Sequence, residues 1–344
     1  VPTEPAAAEP PAAAAPAEPA PAAEAPAPEP VAAEPLPAPA EALPPPADVS
    51  KPKPPPYSLP FGLRPVVAAS VVRLDNVVAF YEAAEKLPTG ADNPIAGESG
   101  TTFVSMLLAS YKVNDWFAPM VRLGVANNSP PGDADGSFNF LNPVVGGTVA
   151  LKPTPDLRLA FFLGLTVPVG SGGGGSTTDQ DLANQRATNN AGAAARSMMD
   201  NAMFATSYFT VFPGVGFAFV KSGFTAQVEA TLLQLTRVKG EPFQKDSSKT
   251  NFTAGLHLGY FFVKQFSFGA ELRHQRWLST PEQPPVEAQP ELRDTTTVAF
   301  GPRVHLQFSE KVWFRPAVAF ALPLDEPLTT TKHKMLQIDL PVAF

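Results

Sequence analysis

Cysteine is absent from all 344 residues, which excludes disulfides, thiolate nucleophiles and Cys-ligated metals. No uncharged apolar run reaches the roughly 18 residues that a bilayer-spanning helix needs, a limit that does not apply to crossing by strands. Basic residues are also short, at 25 Lys and Arg against 32 Asp and Glu, so nothing suggests a nucleic-acid surface. Tyr, at 5, is scarce beside Phe at 25. The acidity is local. Residues 1–56 carry seven Glu, one Asp and two Lys, which accounts for −6 of the net −7 and leaves the remainder near neutrality.

Those first 56 residues are Ala, Pro and Glu in loose repetition, ending in Pro52-Lys-Pro-Pro-Pro56. So few bulky side chains cannot offset the entropy of ordering, and the composition predicts a disordered spacer of polyproline II character. At roughly 3.1 Å per residue it reaches on the order of 150 Å when extended. An inert linker and a docking arm for periplasmic, cell-wall or lipoprotein partners both fit it. A chain beginning at Val1 and not Met is expected where an export signal has been removed.

From Tyr57 onward the pattern changes to short alternating segments. Five tight polar connections, at 112–115, 152–156, 221–223, 263–265 and 309–311, interleave with longer ones near 82–100, 126–138, 170–201, 239–249, 279–293 and 324–331. Hairpin turns and loops in that order predict twelve strands and an all-β fold. The faces separate by parity. Phe266, Phe268, Ala270 and Leu272 oppose Gln265, Ser267, Glu271 and Arg273, and Val298, Phe300, Val304 and Leu306 oppose Thr297, Arg303, His305 and Gln307. Segments 64–80 and 101–111 carry apolar residues on both parities and leave their faces open.

The closing strand, Met335-Leu-Gln-Ile-Asp-Leu-Pro-Val-Ala-Phe344, has an apolar face and ends on an aromatic residue. It resembles the terminal assembly signal of bacterial outer-membrane β-barrels, and the repeated alternation extends the resemblance over residues 57–344. The resemblance implies a transmembrane antiparallel up-and-down barrel, porin-like, of about twelve strands. It implies outer-membrane lipid as surroundings, barrel-assembly machinery engaging the strand that ends at Phe344, and both termini on the periplasmic side with the short turns. Trp116, Tyr260, Trp313 and Phe344 are then the membrane-interface aromatics.

On the same reading the lumen is lined by Arg122, Arg158, Glu229, Glu271, Arg273, Arg303, His305, Arg315 and Asp339, with His257, Gln227, Gln307 and Gln337. Inward charges either select small solutes or pair and close the bore. Loop 170–201 opens on Gly172–Gly175 and continues into an Ala- and Asn-rich stretch that predicts short helical turns, lying at the surface, over the mouth or in the lumen. No catalytic residue, metal site or cofactor is expected. The four His lack the His-x-Ser-Asn-Gly pattern of the twelve-stranded outer-membrane phospholipases, and the glycine run has no Lys-Ser/Thr after it. The expected function is passive passage of small polar or charged solutes. The alternative is a non-enzymatic anchoring barrel of an envelope-spanning machine for gliding motility or secretion.

Overall fold

Alternation with period two puts successive side chains on opposite faces of a strand, and here it closes a sheet on itself. A computed structural model of the protein describes residues 57–87 and 89–344. The spacer expected over 1–56 lies outside the described residues. Twelve strands form the wall: β1 Val71–Glu82, β2 Ser99–Ser110, β3 Phe117–Ser129, β4 Phe138–Phe140 continued by Val144–Leu151, β5 Leu157–Thr166 and β6 Tyr208–Lys221. They continue as β7 Phe224–Arg237, β8 Ser248–Val263, β9 Phe266–Trp277, β10 Asp294–Val304 with Leu306–Gln307, β11 Trp313–Phe314 with Ala317–Pro323, and β12 Lys334–Ala343.

Each strand pairs antiparallel with its neighbour in sequence. β1 then pairs with β12, from Val71 opposite Ala343 to Phe80 opposite Lys334, and closes the barrel. Full closure removes both sheet edges, which alone lets a sheet satisfy its backbone in lipid. Five connections are short and gather at one end, the short-turn end. Six long connections gather at the other.

The outer face is apolar. On β9, Phe268 and Leu272 are exposed while Ser267, Glu271, Arg273 and Gln275 are buried, and on β10, Phe300 and Val304 are exposed while Thr297, Arg303 and His305 are buried. Outward charge sits at the strand ends, as where Arg276 pairs with Asp294 at 2.9 Å. Burying an unpaired charge against mid-bilayer lipid costs about 2–4 kcal/mol, which explains that placement.

Two features depart from simple alternation. The first strand begins at Val71, whereas the apolar stretch from residue 64 reads as its start. Residues 57–70 lie inside the barrel. In the connection 167–207, helix α1 (Asp179–Ala195) and the single turn α2 (Asn201–Phe204) replace the short helical turns expected there. Thr178 caps α1 by accepting from the Asp181 amide at 3.0 Å, and Asp179 and Asp181 place negative charge at its N-terminus.

Candidate functional site

The lumen holds two pieces of the protein's own chain. The first is residues 57–70. Tyr57 and Ser58 sit beside the β6–β7 turn, where the Ser58 amide donates to Thr225 at 3.0 Å. The chain rises to Leu63 and Arg64, deep against Gly255 and Thr231. It then returns to the same end, where the Ser110 hydroxyl donates to the Ala69 carbonyl at 3.0 Å and the Phe344 amide to Ser70 at 3.1 Å. The segment is a re-entrant loop. Pro60, Gly62 and Pro65 withhold strand character from it.

The wall is carved to receive this loop. A Cβ placed on Gly255 would collide with Leu63, and one on Gly259 with Ser58. On Gly269 it would lie 3.2 Å from Phe61, and on Gly216 3.1 Å from Val66. Glycine on the inward parity of β6, β8 and β9 thus leaves a groove that the loop fills. Phe61 and Leu63, each 1% exposed, contribute about 1.5–3 kcal/mol apiece by burial.

Polar wall residues close on the loop's backbone. Glu271 accepts from the Phe61 amide and, at 3.0 Å, from Gly62. Arg303 donates to the Pro60 carbonyl at 3.1 Å, Gln337 to Phe61 at 2.8 Å and Gln227 to Arg64 at 2.7 Å. A non-repetitive backbone without strand partners must find other ones when buried, and these side chains supply them. The cations are neutralised in place: Asp339 holds Arg73 and Arg303 at 2.6 Å each, Glu271 holds Arg273 at 2.9 Å, and Glu229 holds Arg64 at 2.5 Å.

The second piece is the stretch 193–204, which crosses the long-loop half. Ala193, Ala195, Met203 and Phe204 join one apolar cluster with the inward-facing Val77, Val104, Ala126, Leu235, Trp277, Ala299 and Met335 from all around the wall. Arg196 pairs with Asp75 of β1 at 2.8 Å and with Asp200 at 2.9 Å, and Asp200 pairs with Arg122 of β3 at 2.8 Å. Burial alone would raise the Asp200 carboxyl, but Arg122 and Arg196 outweigh it and hold it well below the usual carboxylate range. The break in β4 belongs to the same packing, since there the Asn142 amide donates to the Met203 carbonyl at 2.9 Å.

The residues singled out from sequence fall into distinct settings. Glu229, Glu271, Arg273, Arg303, Asp339, His257, Gln227 and Gln337 are buried in the lumen against the loop or beside it. His305 bonds Ser267 at 2.8 Å and lies tilted against the Phe261 ring, with centres 4.5 Å apart. Arg122 serves the helical insert. Arg158 lies 4.7 Å over the Tyr57 ring and Arg315 5.1 Å over Trp313. Gln307 is exposed at the short-turn end, bonded weakly to Glu310 at 3.4 Å. Trp116, Tyr260 and Phe344 are exposed at that end and Trp313 is half-buried there. Sequence reasoning missed Arg64, Arg73, Asp75, Arg196 and Asp200. Arg73 and Asp75, two apart on β1, carry the i, i+2 signal of one inward face.

No family model matches the sequence, and no curated protein matches it. Among solved structures, an outer membrane channel from Pseudomonas putida F1 covers 83% of this chain and 98% of its own at 14% identity, with a TM-score of 0.52. The NanC porin, at 8% identity over 78% of this chain and 98% of its own, is more distant with a TM-score of 0.42. The KdgM porin, at 9% identity over 78% and 99%, has a TM-score of 0.39. The likeness to the Pseudomonas channel is one of fold, and it matches what closure, strand number and the apolar outer face already establish: the chain has the twelve-stranded, porin-like fold of the outer-membrane β-barrels.

Proposed function

We propose that the protein is a gated outer-membrane channel for small polar or charged solutes, held shut by two obstructions in series. The observation that carries this reading is the glycine groove. A permanently solid barrel of this width would be filled by large wall side chains, as eight-stranded barrels are. Here the wall gives up volume at Gly216, Gly255, Gly259 and Gly269, and a loop joined to the N-terminal spacer occupies it. Withdrawal of that loop leaves a passage lined by Arg303, Arg273, Glu271, Glu229 and Asp339, whose mixed charge selects by sign and size. With the short turns periplasmic, as in barrels of this kind, Tyr57 lies at the end that a periplasmic partner would reach.

Planar-bilayer recording tests the reading. The intact barrel is expected to be silent or nearly so. Removing residues 1–68, or replacing 179–204 by a short Gly-Ser linker, leaves one obstruction in place and little current. Removing both is expected to give stable, ion-selective steps.

The filled lumen also favours a second reading, an anchoring barrel that holds periplasmic or lipoprotein partners through residues 1–56. It is distinguished by a doubly deleted barrel that stays silent, together with partner capture that depends on residues 1–56.

A further inference from the structure

Between the helical insert and the loops of the long-loop end lies a cavity of about 440 Å³, within the range of roughly 300–1,000 Å³ usual for small-molecule sites. Its lining is cationic, while Asp246, just outside it, is held by the Glu282 and Gln283 amides at 2.9 and 3.3 Å. Two cations, Arg186 and Lys249, line it along with the amides of Asn189, Gln244, Gln275 and Gln283, and no carboxylate does. Elsewhere in the lumen Arg73, Arg196, Arg273 and Arg303 each meet a carboxylate within 3.0 Å.

Gln283 brings the two cations together. Its side-chain oxygen accepts from Arg186 at 2.6 Å and its carbonyl accepts from Lys249 at 2.8 Å. Lys249 is 7% exposed and lies 4.5 Å from the Tyr208 ring centre and 5.2 Å from that of Trp277. The rings hold its ammonium in place, and one carbonyl uses only one of its three donors. Ser207, 2% exposed, also lines the cavity, and its buried hydroxyl has no hydrogen-bond partner. A buried cation with spare donors and an orphaned hydroxyl both cost free energy unless something supplies their partners.

We propose that this cavity binds a small hydroxylated carboxylate, with its carboxylate on Lys249 and Arg186 and its hydroxyls on the amides and Ser207. The inference deepens the channel reading and rests on it for its meaning. A solute held there touches Ala193 and Phe204 of the insert, so it sits where loading is felt by the obstruction that closes this end. Binding itself needs no conduction.

The test uses the full chain in detergent with Trp116 and Trp313 replaced by Phe, so that Trp277, which lines the cavity, is the remaining fluorophore. Gluconate is expected to give a saturable change, glucose one at least tenfold weaker, and glucosamine none. Lys249→Gln and, independently, Arg186→Gln are each expected to weaken gluconate at least fivefold while the heat-modifiable gel mobility of the folded barrel is kept. Arg186 is on α1 and not in the wall, so its variant preserves the barrel if Lys249→Gln does not. No saturable response to gluconate, an equal response to glucose, or unchanged binding by Arg186→Gln overturns the proposal. Binding by an intact protein whose doubly deleted barrel is silent leaves this site standing and sinks the channel, whereas conduction without binding does the reverse.

Discussion

Asp75 and Arg196 pair at 2.8 Å in the middle of the barrel, joining a wall strand to the helical insert. The same carboxylate accepts from Gln337 at 2.9 Å, and Gln337 in turn donates to the Phe61 carbonyl of the re-entrant loop. One acid therefore touches the fastening of both obstructions. Breaking a buried pair by removing one partner costs about 3–5 kcal/mol because the other charge is stranded. Asp75→Asn is expected to loosen both pieces, by about 3 kcal/mol since Arg196 keeps Asp200. With no native cysteine, Ser58→Cys and Ala202→Cys serve as clean reporters. Both thiols are expected to label about a hundredfold faster in the Asp75→Asn background.

Glu229→Gln provides the contrast. Glu229 accepts from the Arg64 amide at 2.6 Å and its guanidinium at 2.5 Å, and among the described residues it makes no hydrogen bond or ion pair with the insert. Ser58→Cys is expected to label at least tenfold faster in this background while Ala202→Cys is unchanged. Equal acceleration at both positions would mean that the pieces release as one unit.

The outer face gives a third expectation. Leu272 is exposed midway along β9, so Leu272→Arg places a cation against lipid. It is expected to cost about 2–4 kcal/mol of folding stability in vesicles, read from urea-dependent folding. A cost under 0.5 kcal/mol would contradict a lipid-facing Leu272.

Much of this wall is legible in the sequence because lipid and lumen impose opposite demands on alternate residues. β8 to β12 obey that rule with Arg273, Arg303 and Asp339 on the inner parity. The rule blurs in β1 and β2 for a physical reason: Val77, Ala79, Val104 and Met106 face inward and are apolar because the insert packs on them. Residues 64–70 read as strand for a related reason. A loop buried on all sides is apolar without period, and only Pro60, Gly62 and Pro65 betray it. The inward glycines of β8 and β9 were the available signal, since Gly255, Gly259 and Gly269 share one parity and imply volume supplied from elsewhere.

His333 predicts a pH dependence in the connection before β12. It stacks on Tyr81 with ring centres 5.0 Å apart, and its Nδ1 lies 2.7 Å from the Thr331 hydroxyl. Burial pushes its imidazole down to about 4, against roughly 6.5 in an unfolded chain. Above pH 6.5 neither state binds the proton and His333 leaves stability unchanged. As pH falls from 6.5 towards 4 the unfolded chain takes the proton first, and stability drops by up to about 1.4 kcal/mol per pH unit. Below 4 the loss levels off. His333→Phe keeps the stack and is expected to remove this component, seen as a smaller difference between urea midpoints at pH 5 and pH 7.

The central claim is that the chain before β1 turns inside the barrel and closes it. Disulfide trapping tests it most directly, using Leu63→Cys with Gly255→Cys, two positions on the loop tip and the facing wall. In folded barrels under mild oxidation, near-complete cross-linking is expected, reported by peptide mapping, with a Leu63→Cys and Val318→Cys pair, one inside and one on the outer face, remaining reduced. Free thiols at both 63 and 255 that label readily in folded protein would contradict the account.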